Sequence, residues 1–369
     1  MLRRSTILLL MPHLGGGGAE QVMAHLARSL SNDRFDVHVG LVTERSCAAG
    51  ILPPRIQVHG VGARRVLFGT VGILRMVWQL HPDLIISGMF HLNFLVLLLR
   101  PLFPRVTKIL VRQNGPLPVK LQHSHARMML RLYRATYPRA NGIICQTPEM
   151  AEELARLLGM SAKLHVLRNP VDLHGIRRSA ACSPCRWPGR GPHLLAVGRL
   201  SIEKGFDLLL DGFAALRHSY PSADLVILGR GPEEKSLRAR CNILGLNASV
   251  SFAGYVDQPV TWFSGASLLV IPSREDAFPN VLIEAAAAGL PIVTTPCSQG
   301  VTRLLHGQSG AWIARNISSD ALTKSLIAAL ATLKPGERFR HSWLDPYELH
   351  QAIAEYETLI DETLAGSAQ

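Results

Sequence analysis

What this sequence has little of already bounds it. Only 18% of its 369 residues are charged and 6% are aromatic, while 47% are hydrophobic. Disordered chains combine low hydrophobicity with high net charge, so that class is excluded, and the length suffices for two domains with cores of their own. Six cysteines, at 47, 145, 182, 185, 241 and 297, are scattered through a chain too large to need a disulfide framework, which points to a reducing, cytoplasmic setting. Cys182 and Cys185 form a lone CxxC, whereas a structural zinc site takes four ligands and no second pair stands at suitable spacing. No apolar run approaches the roughly twenty residues of a membrane-spanning helix. The longest, Phe94 to Leu99, lies between His91 and Arg100. Near the start, the run through Met11 is short and leads into His13-Leu-Gly-Gly-Gly-Gly rather than a small-residue cleavage site, so a buried first strand is expected instead of a secretory leader. Nor is there an Asp-x-Asp pair that could hold a divalent metal.

What is present in excess is positive charge. A formal charge of +12 and a pI near 9.9 call for an acidic partner: nucleic acid, anionic lipid headgroups or a phosphorylated substrate. Composition does not choose among them. No recognition helix, aromatic platform or zinc finger supports nucleic acid.

Along the chain, strand and helix signals alternate. Strands are expected at Thr6 to Met11, Phe35 to Val42, Asp83 to Ser87, Val106 to Val111 and Gly142 to Cys145, each followed by a helical stretch. Alternation of this kind builds a mostly parallel sheet with helices on both faces, and ligands bind such sheets at the carboxyl ends of the strands. Gly15 to Glu20 (GGGGAE) falls at such an end, as do His91 with Asn93 and the run Arg112-Gln113-Asn114. Ser179 to Pro192 (SAACSPCRWPGRGP) reads as a linker. The pattern then restarts with a strand at His193 to Val197, a loop from Gly198 to Gly205 and a helix from Phe206. Leu228-Gly-Arg-Gly-Pro232 opens another helix, but Glu234 occupies the last position of a dinucleotide fingerprint, which is therefore incomplete.

The most informative stretch is Leu268 to Thr295, a strand, a polar loop, a helix and a second strand. Its loop holds Arg274, Glu275 and Asp276, then Phe278-Pro279-Asn280. Proline is tolerated in a helix's first turn, so Pro279 marks a helix start whose free amides face the loop and favour anions. Glu284 lies about one turn in. A phosphorylated, polyhydroxylated ligand suits this mouth.

Asp276-x-Phe-Pro-Asn-Val-Leu-Ile-Glu284, followed by Ala-x-Ala-x-Gly-x-Pro-Ile-Val-x-Thr, resembles the paired-acid signature of family-4 retaining glycosyltransferases, which have the GT-B fold. The resemblance departs at the first acid, usually glutamate and here Asp276, with Glu275 one step earlier. It implies two doubly wound Rossmann-like domains facing across a cleft: residues 1–178 for the acceptor, a linker at 179–192, residues 193–344 for the nucleotide sugar, and a helix at 345–369 crossing back to the first domain. It further implies that Arg199 and Lys204 neutralise the donor diphosphate and that Glu284 binds ribose hydroxyls. Asp276 or Glu275 would bind a sugar hydroxyl, and amides around Phe278, Asn280 and Val281 the donor. Gly229 and Arg230, with Gly254, resemble the wall for base and ribose, and Gly17 and Gly18 the loop near the donor phosphate. On the acceptor side the resemblance implies Gly16, His91, Asn93, Arg112 and Asn114, with His91 able to touch the transferred sugar.

Lys120, Arg127, Arg131 and Arg134 fall on one face of a helix over Lys120 to Tyr137, beside Met128, Met129, Leu132 and Tyr133, a pattern that can lie on anionic membranes. The expectation is thus a retaining transferase that moves a hexose or N-acetylhexosamine from a nucleotide sugar, UDP-linked, to a glycan acceptor that is lipid-linked, in cell-surface polysaccharide or lipopolysaccharide assembly. It would need no cofactor or metal, bind no nucleic acid, and sit peripherally on the inner face of the membrane. The alternatives are a nucleotide-sugar epimerase of the same fold and a basic nucleic-acid-binding protein.

Overall fold

A computed structural model of the chain describes residues 3–14, 17–43, 52–115, 124–161, 163–182, 187 and 190–366, with 124–126 and 182 as backbone only. It divides into two compact units. One comprises Met1–Val171 with Tyr347–Gln369, the other Asp172–Pro346.

Unit 1 runs β1 (Ser5–Met11), α1 (Gly18–Ser29), β2 (Phe35–Leu41), β3 (Gln57–Gly60), α2 (Thr70–Leu80), β4 (Leu84–Ser87), α3 (Phe90–Leu99), β5 (Lys108–Gln113), α4 (Ser124–Thr136), β6 (Gly142–Cys145), α5 (Pro148–Leu158) and β7 (Leu164–Val166). Its seven strands are all parallel, in the order β3-β2-β1-β4-β5-β6-β7. The Ile7–Met11 run is fully buried, as expected of a central strand covered on both faces. Unit 2 begins with α6 (Leu173–Cys182). It continues with β8 (His193–Val197), α7 (Phe206–Ser219), β9 (Asp224–Leu228), α8 (Glu234–Ile243), β10 (Val250–Gly254), β11 (Leu268–Ile271), α9 (Asn280–Ala287), β12 (Ile292–Thr294), α10 (Gln299–Leu305), β13 (Ala311–Ile313) and α11 (Ser319–Thr332). Its six strands are parallel in the order β10-β9-β8-β11-β12-β13.

The last helix, α12 (Leu349–Ala365), belongs to unit 1. Ile353, Tyr356, Leu359 and Ile360 fall at helical spacing and join the core of β1 and α1. Arg34 on the other side pairs with Glu357 and Asp361. Ahead of α12, residues Ser342–Tyr347 form a 3-10 segment, and the α-helix starts at Leu349 and not at Asp345 because Glu348 leaves the helical conformation (φ −56°, ψ 136°) and caps the new helix, its side chain accepting from His350 N at 2.8 Å.

Two sequence boundaries move. The division between units falls after Val171, and Ser179–Cys182, read as the start of a linker, is the last turn of α6. Strand β5 begins at Lys108 and runs on to Gln113, two residues beyond the expected end. Among the described residues no helix is long and apolar enough to cross a membrane. Lys120 and Cys185 lie outside the described residues.

Candidate active site

Each sheet reverses its strand order once, between β1 and β4 in unit 1 and between β8 and β11 in unit 2. In open α/β sheets the crevice beyond the carboxyl ends at such a point is where ligands bind. In unit 2 the two segments that leave this point are residues 198–205, after β8, and 272–279, after β11.

These segments are bound to each other before any ligand arrives. The amides of Arg274 and Glu275 donate to the carbonyl of Glu203, at 2.7 and 3.3 Å. Arg274 makes a two-pronged pair with Asp207, 2.6 Å on each prong, and donates to the Ile202 carbonyl at 3.0 Å. The guanidinium holds the Asp207 carboxyl below its ordinary range, the hydrogen bonds being the main cause. Gly205 has φ +65°, and a Cβ there would lie 2.1 Å from the Pro272 carbonyl oxygen, so only glycine lets the segments touch. On this platform Lys204 Nζ donates to Asp276 Oδ2. Arg199, earlier in the same segment as Lys204, is exposed, and the partly buried Glu275 side chain has no partner among the described residues.

A third loop completes the edge. Leu200 N donates to the Arg230 carbonyl at 3.0 Å and Gly229 N to the Gly254 carbonyl at 2.7 Å. Gly229 has φ +139°, and a Cβ on it would meet the Gly198 carbonyl oxygen at 1.9 Å. The ends of β8, β9 and β10 thus lie bare of side chains, with the exposed Arg230 guanidinium 3.6 Å from where a Gly254 Cβ would stand.

Helix α9 starts at Asn280, directly after Pro279. Val281 follows in its first turn, and Phe278 is buried under the loop. Glu284, one turn in, has no side-chain partner among the described residues, and burial pushes its carboxyl from 4.5 up to about 7. The Asp276 amide approaches the Cys297 carbonyl at 3.4 Å. Burial, with the Asp276 charge adding to it, pushes the Cys297 thiol up to about 12, so this cysteine is an inert wall and not a nucleophile. Unit 2 therefore joins Lys204 to Asp276, with Arg199 in the segment of the one and Glu284 on the helix that follows the other, beside bare backbone. Cations of this kind meet phosphate oxygens; the carboxylates accept from sugar hydroxyls.

In unit 1 a cavity of about 430 Å³ lies at the reversal point, lined by Pro12, His13, Thr43, Arg65, Val66, Leu67, His91 and Leu95. Burial and then the neighbouring His13 hold the His91 imidazole below its ordinary value. Gly17 caps α1, and a Cβ on it would lie 2.2 Å from Glu20 Oε2, because the buried Glu20 folds back over the start of the helix that Gly18 opens. Glu20 Oε1 is 3.7 Å from His13 Nδ1. Gly16 lies outside the described residues. Asn114 donates to the Gly88 carbonyl and accepts from Gln146 Nε2 at 3.3 Å.

Arg112 and Asn93 stand elsewhere than the sequence suggests. Both are buried, Arg112 with 1% exposure. Arg112 Nε donates to Tyr356 Oη on α12 at 2.9 Å, and Nη2 to Asn169 Oδ1 at 2.7 Å. Asn93 Nδ2 donates to the Arg112 carbonyl at 2.8 Å. Because β5 continues to Gln113, Arg112 is still a strand residue, opposite Ile144, and its side chain enters the unit's interior. Sequence reasoning missed the Arg274–Asp207 clamp, and also His13, Thr43, Arg65 and Leu95 as cavity walls. Only His13 carried a signal, since it follows β1 just ahead of the glycine run.

Residues 16–174 match the family described as Glycosyltransferase Family 4, and residues 191–332 the one described as Glycosyl transferases group 1. The chain is 34% identical over 133 residues to an uncharacterized glycosyltransferase of Haemophilus influenzae, covering 36% of this chain and 38% of that one. It is 24% identical over 344 residues, 89% of this chain and 90% of the other, to the N-acetylgalactosamine-N,N'-diacetylbacillosaminyl-diphospho-undecaprenol 4-alpha-N-acetylgalactosaminyltransferase of Campylobacter jejuni. The first two curated relatives are matched over only 38% and 62% of their own length. In fold it is similar to HepE of Anabaena, solved in complex with UDP and glucose, at 17% identity, 97% and 99% coverage and a TM-score of 0.74.

Proposed function

Since this chain belongs to the family-4 glycosyltransferases of the GT-B fold, we propose that it transfers a hexose or N-acetylhexosamine from a UDP-sugar, with retention at the anomeric carbon, to a lipid-linked glycan acceptor in polysaccharide or lipopolysaccharide assembly. The observation that carries this reading is the joining of Lys204 to Asp276 at the point where the second sheet reverses, with Arg199 in the same segment as Lys204 and with Glu284, which has no side-chain partner among the described residues, one turn into α9. The similarity to a transferase whose name specifies a diphospho-undecaprenol acceptor, and to a structure holding UDP, supports the donor and acceptor classes.

Departure of a nucleoside diphosphate builds negative charge on a phosphate oxygen. Arg199 and Lys204 meet that charge, and they stabilise the transition state more than the ground state because the charge grows as the bond breaks. In this reading no divalent metal is needed. Asp276 holds Lys204 in place until the diphosphate arrives and then accepts from a sugar hydroxyl, whereas Glu275 lacks such a tie. Glu284 accepts from the ribose hydroxyls. On unit 1, His91 and the 430 Å³ cavity would serve the acceptor, and the basic balance of the chain suits peripheral attachment to an anionic membrane. Thermal unfolding against a panel of nucleoside diphosphates and nucleotide sugars tests the donor assignment. A ligand at 100 times its dissociation constant adds about 2.7 kcal/mol. UDP and one UDP-sugar should raise the transition; no response to any uridine nucleotide would remove the UDP assignment.

A further inference from the structure

The formal charge of +12 is not spread over the chain. Residues 45–148 carry 14 Lys and Arg and a single acid, Asp83, while all other residues carry 25 against 26. The whole excess therefore sits in one stretch of unit 1. Asp83 itself precedes β4, at the amino end of the sheet, where its carboxylate accepts from Thr6 N at 2.8 Å and faces Arg3 at 3.6 Å. The rest of this stretch contributes no acid of its own.

The same stretch exposes large apolar side chains. A 3-10 turn at Val66–Gly69 presents Leu67 and Phe68, 71% and 69% exposed, and leads directly into α2. There Val71, Arg75 and Trp78 follow on one face, because seven residues nearly complete two turns. Val71 is 76% exposed and Trp78 52%. The Trp78 indole donates to the Leu102 carbonyl at 2.9 Å, which extends the patch onto the turn after α3, where Leu102 is also exposed. Arg64, Arg65, Arg75 and Arg105 are exposed around it. Scattered surface leucines need no explanation, but large exposed apolar side chains gathered on one turn and one helix face among arginines do. Indole rings and arginines with apolar stems are the groups that settle where hydrocarbon meets headgroups.

Helix α4, the other basic element, is built differently. Arg127 and Arg131 are exposed, yet Tyr133 is fully buried and Met129 and Leu132 are partly so. Arg134 Nε donates to the Leu157 carbonyl at 3.0 Å. Of its large apolar side chains only Met128 is mostly exposed. This helix offers charge to a surface but little to insert.

We propose that the face carrying Leu67, Phe68, Val71, Trp78 and Leu102, rimmed by Arg64, Arg75 and Arg105, is the surface by which unit 1 docks on a bilayer containing anionic phospholipid. The apolar side chains enter the headgroup region and the arginines meet the lipid phosphates. Leu67 and Arg65 also line the cavity at the end of β1, so a headgroup in the same leaflet reaches that cavity without leaving the membrane. That last step rests on the lipid-linked acceptor proposed above; the docking is read by binding alone and stands apart from it.

Cosedimentation of the full chain with phosphatidylcholine vesicles, with and without about one-third phosphatidylglycerol, tests this. Binding should require the anionic lipid and weaken as salt is added. Phe68→Ser with Val71→Ser should lower partitioning tenfold or more. Arg64→Gln, Arg75→Gln and Arg105→Gln together should lower it on the order of 10²-fold, at about 1 kcal/mol per basic residue. Tryptophan emission should shift to the blue on vesicles, and that shift should shrink in Trp78→Phe, which keeps the packing. Thermal transitions close to the parent's establish that the variants fold. The proposal is overturned if the Phe68/Val71 variant binds as the parent does. It also fails if reversing Arg127, Arg131 and Arg134 abolishes binding while the patch variants leave it intact, or if the parent binds duplex DNA and no vesicles.

Discussion

Lys204 donates to Asp276 across the point at which the second sheet reverses its strand order, joining two segments 72 residues apart in sequence. A cation and an anion held in contact at a strand edge stabilise little when water can screen them. Their value lies in readiness. The ammonium is already oriented, and in the proposed function a diphosphate has only to replace the carboxylate as its partner.

The first prediction concerns that replacement. Lys204→Ala and Arg199→Ala should each lower the transfer rate on the order of 10²-fold or more, as loss of a preoriented charge does, with unchanged circular dichroism. Steady-state rates with donor in excess measure it, and full activity in both variants would sink the diphosphate assignment.

Asp276 and Glu275 are distinguished by their partners. Asp276→Asn should nearly abolish transfer, and Glu275→Gln should be mild, because only Asp276 is tied to Lys204. Paired kinetics of the two variants decide the register; a mild Asp276→Asn beside a dead Glu275→Gln reverses it.

Glu284 gives a pH dependence. Burial raises its carboxyl from 4.5 to about 7, so the folded chain holds this proton more tightly than the unfolded chain does. Its contribution to stability is greatest below about pH 4.5 and is lost as pH rises through 7. Glu284→Gln removes that loss and should unfold at a higher temperature than the parent at pH 8, by up to about 3 kcal/mol, with no such gain at pH 4. Ribose hydroxyls donate best to the ionised group, so nucleotide affinity of the parent should fall below pH 7 while that of the variant stays flat. Calorimetric titrations at several pH values check both.

Much of this arrangement is legible in the sequence because it is local. Buried strands announce themselves as apolar runs, Ile7 to Met11 above all, and the turn glycines stand where strands end. The spacing of Asp276 and Glu284 is that of one loop and one helical turn. What stays hidden is whatever joins distant segments. Arg112 looks like a loop cation after Val111; its burial depends on Asn169 and on Tyr356, 244 residues away. Asp207 likewise reads as an ordinary first-turn acid until Arg274 closes on it.

That interior contact yields a further prediction. Tyr356→Phe leaves the buried Arg112 Nε without its acceptor, which should cost about 1–3 kcal/mol. Hydrogen exchange should quicken in α12 and neighbouring β5, while the Michaelis constants for donor and acceptor stay within about twofold, since the loss is of packing order and not of a ligand contact. An acceptor constant raised tenfold with exchange unchanged would mean that Arg112 serves the acceptor side of the site directly.

Transfer itself is the most direct measurement. The full chain is incubated with a UDP-sugar labelled in the sugar, with and without a lipid-phosphate-linked glycan, and both UDP release and the anomeric signal of the product are followed by NMR. The account predicts UDP release that depends on the acceptor, with the label joined to it in the donor's own anomeric configuration. Release of UDP at the same rate without acceptor, accompanied by an epimerised free sugar and no labelled glycan, would contradict it.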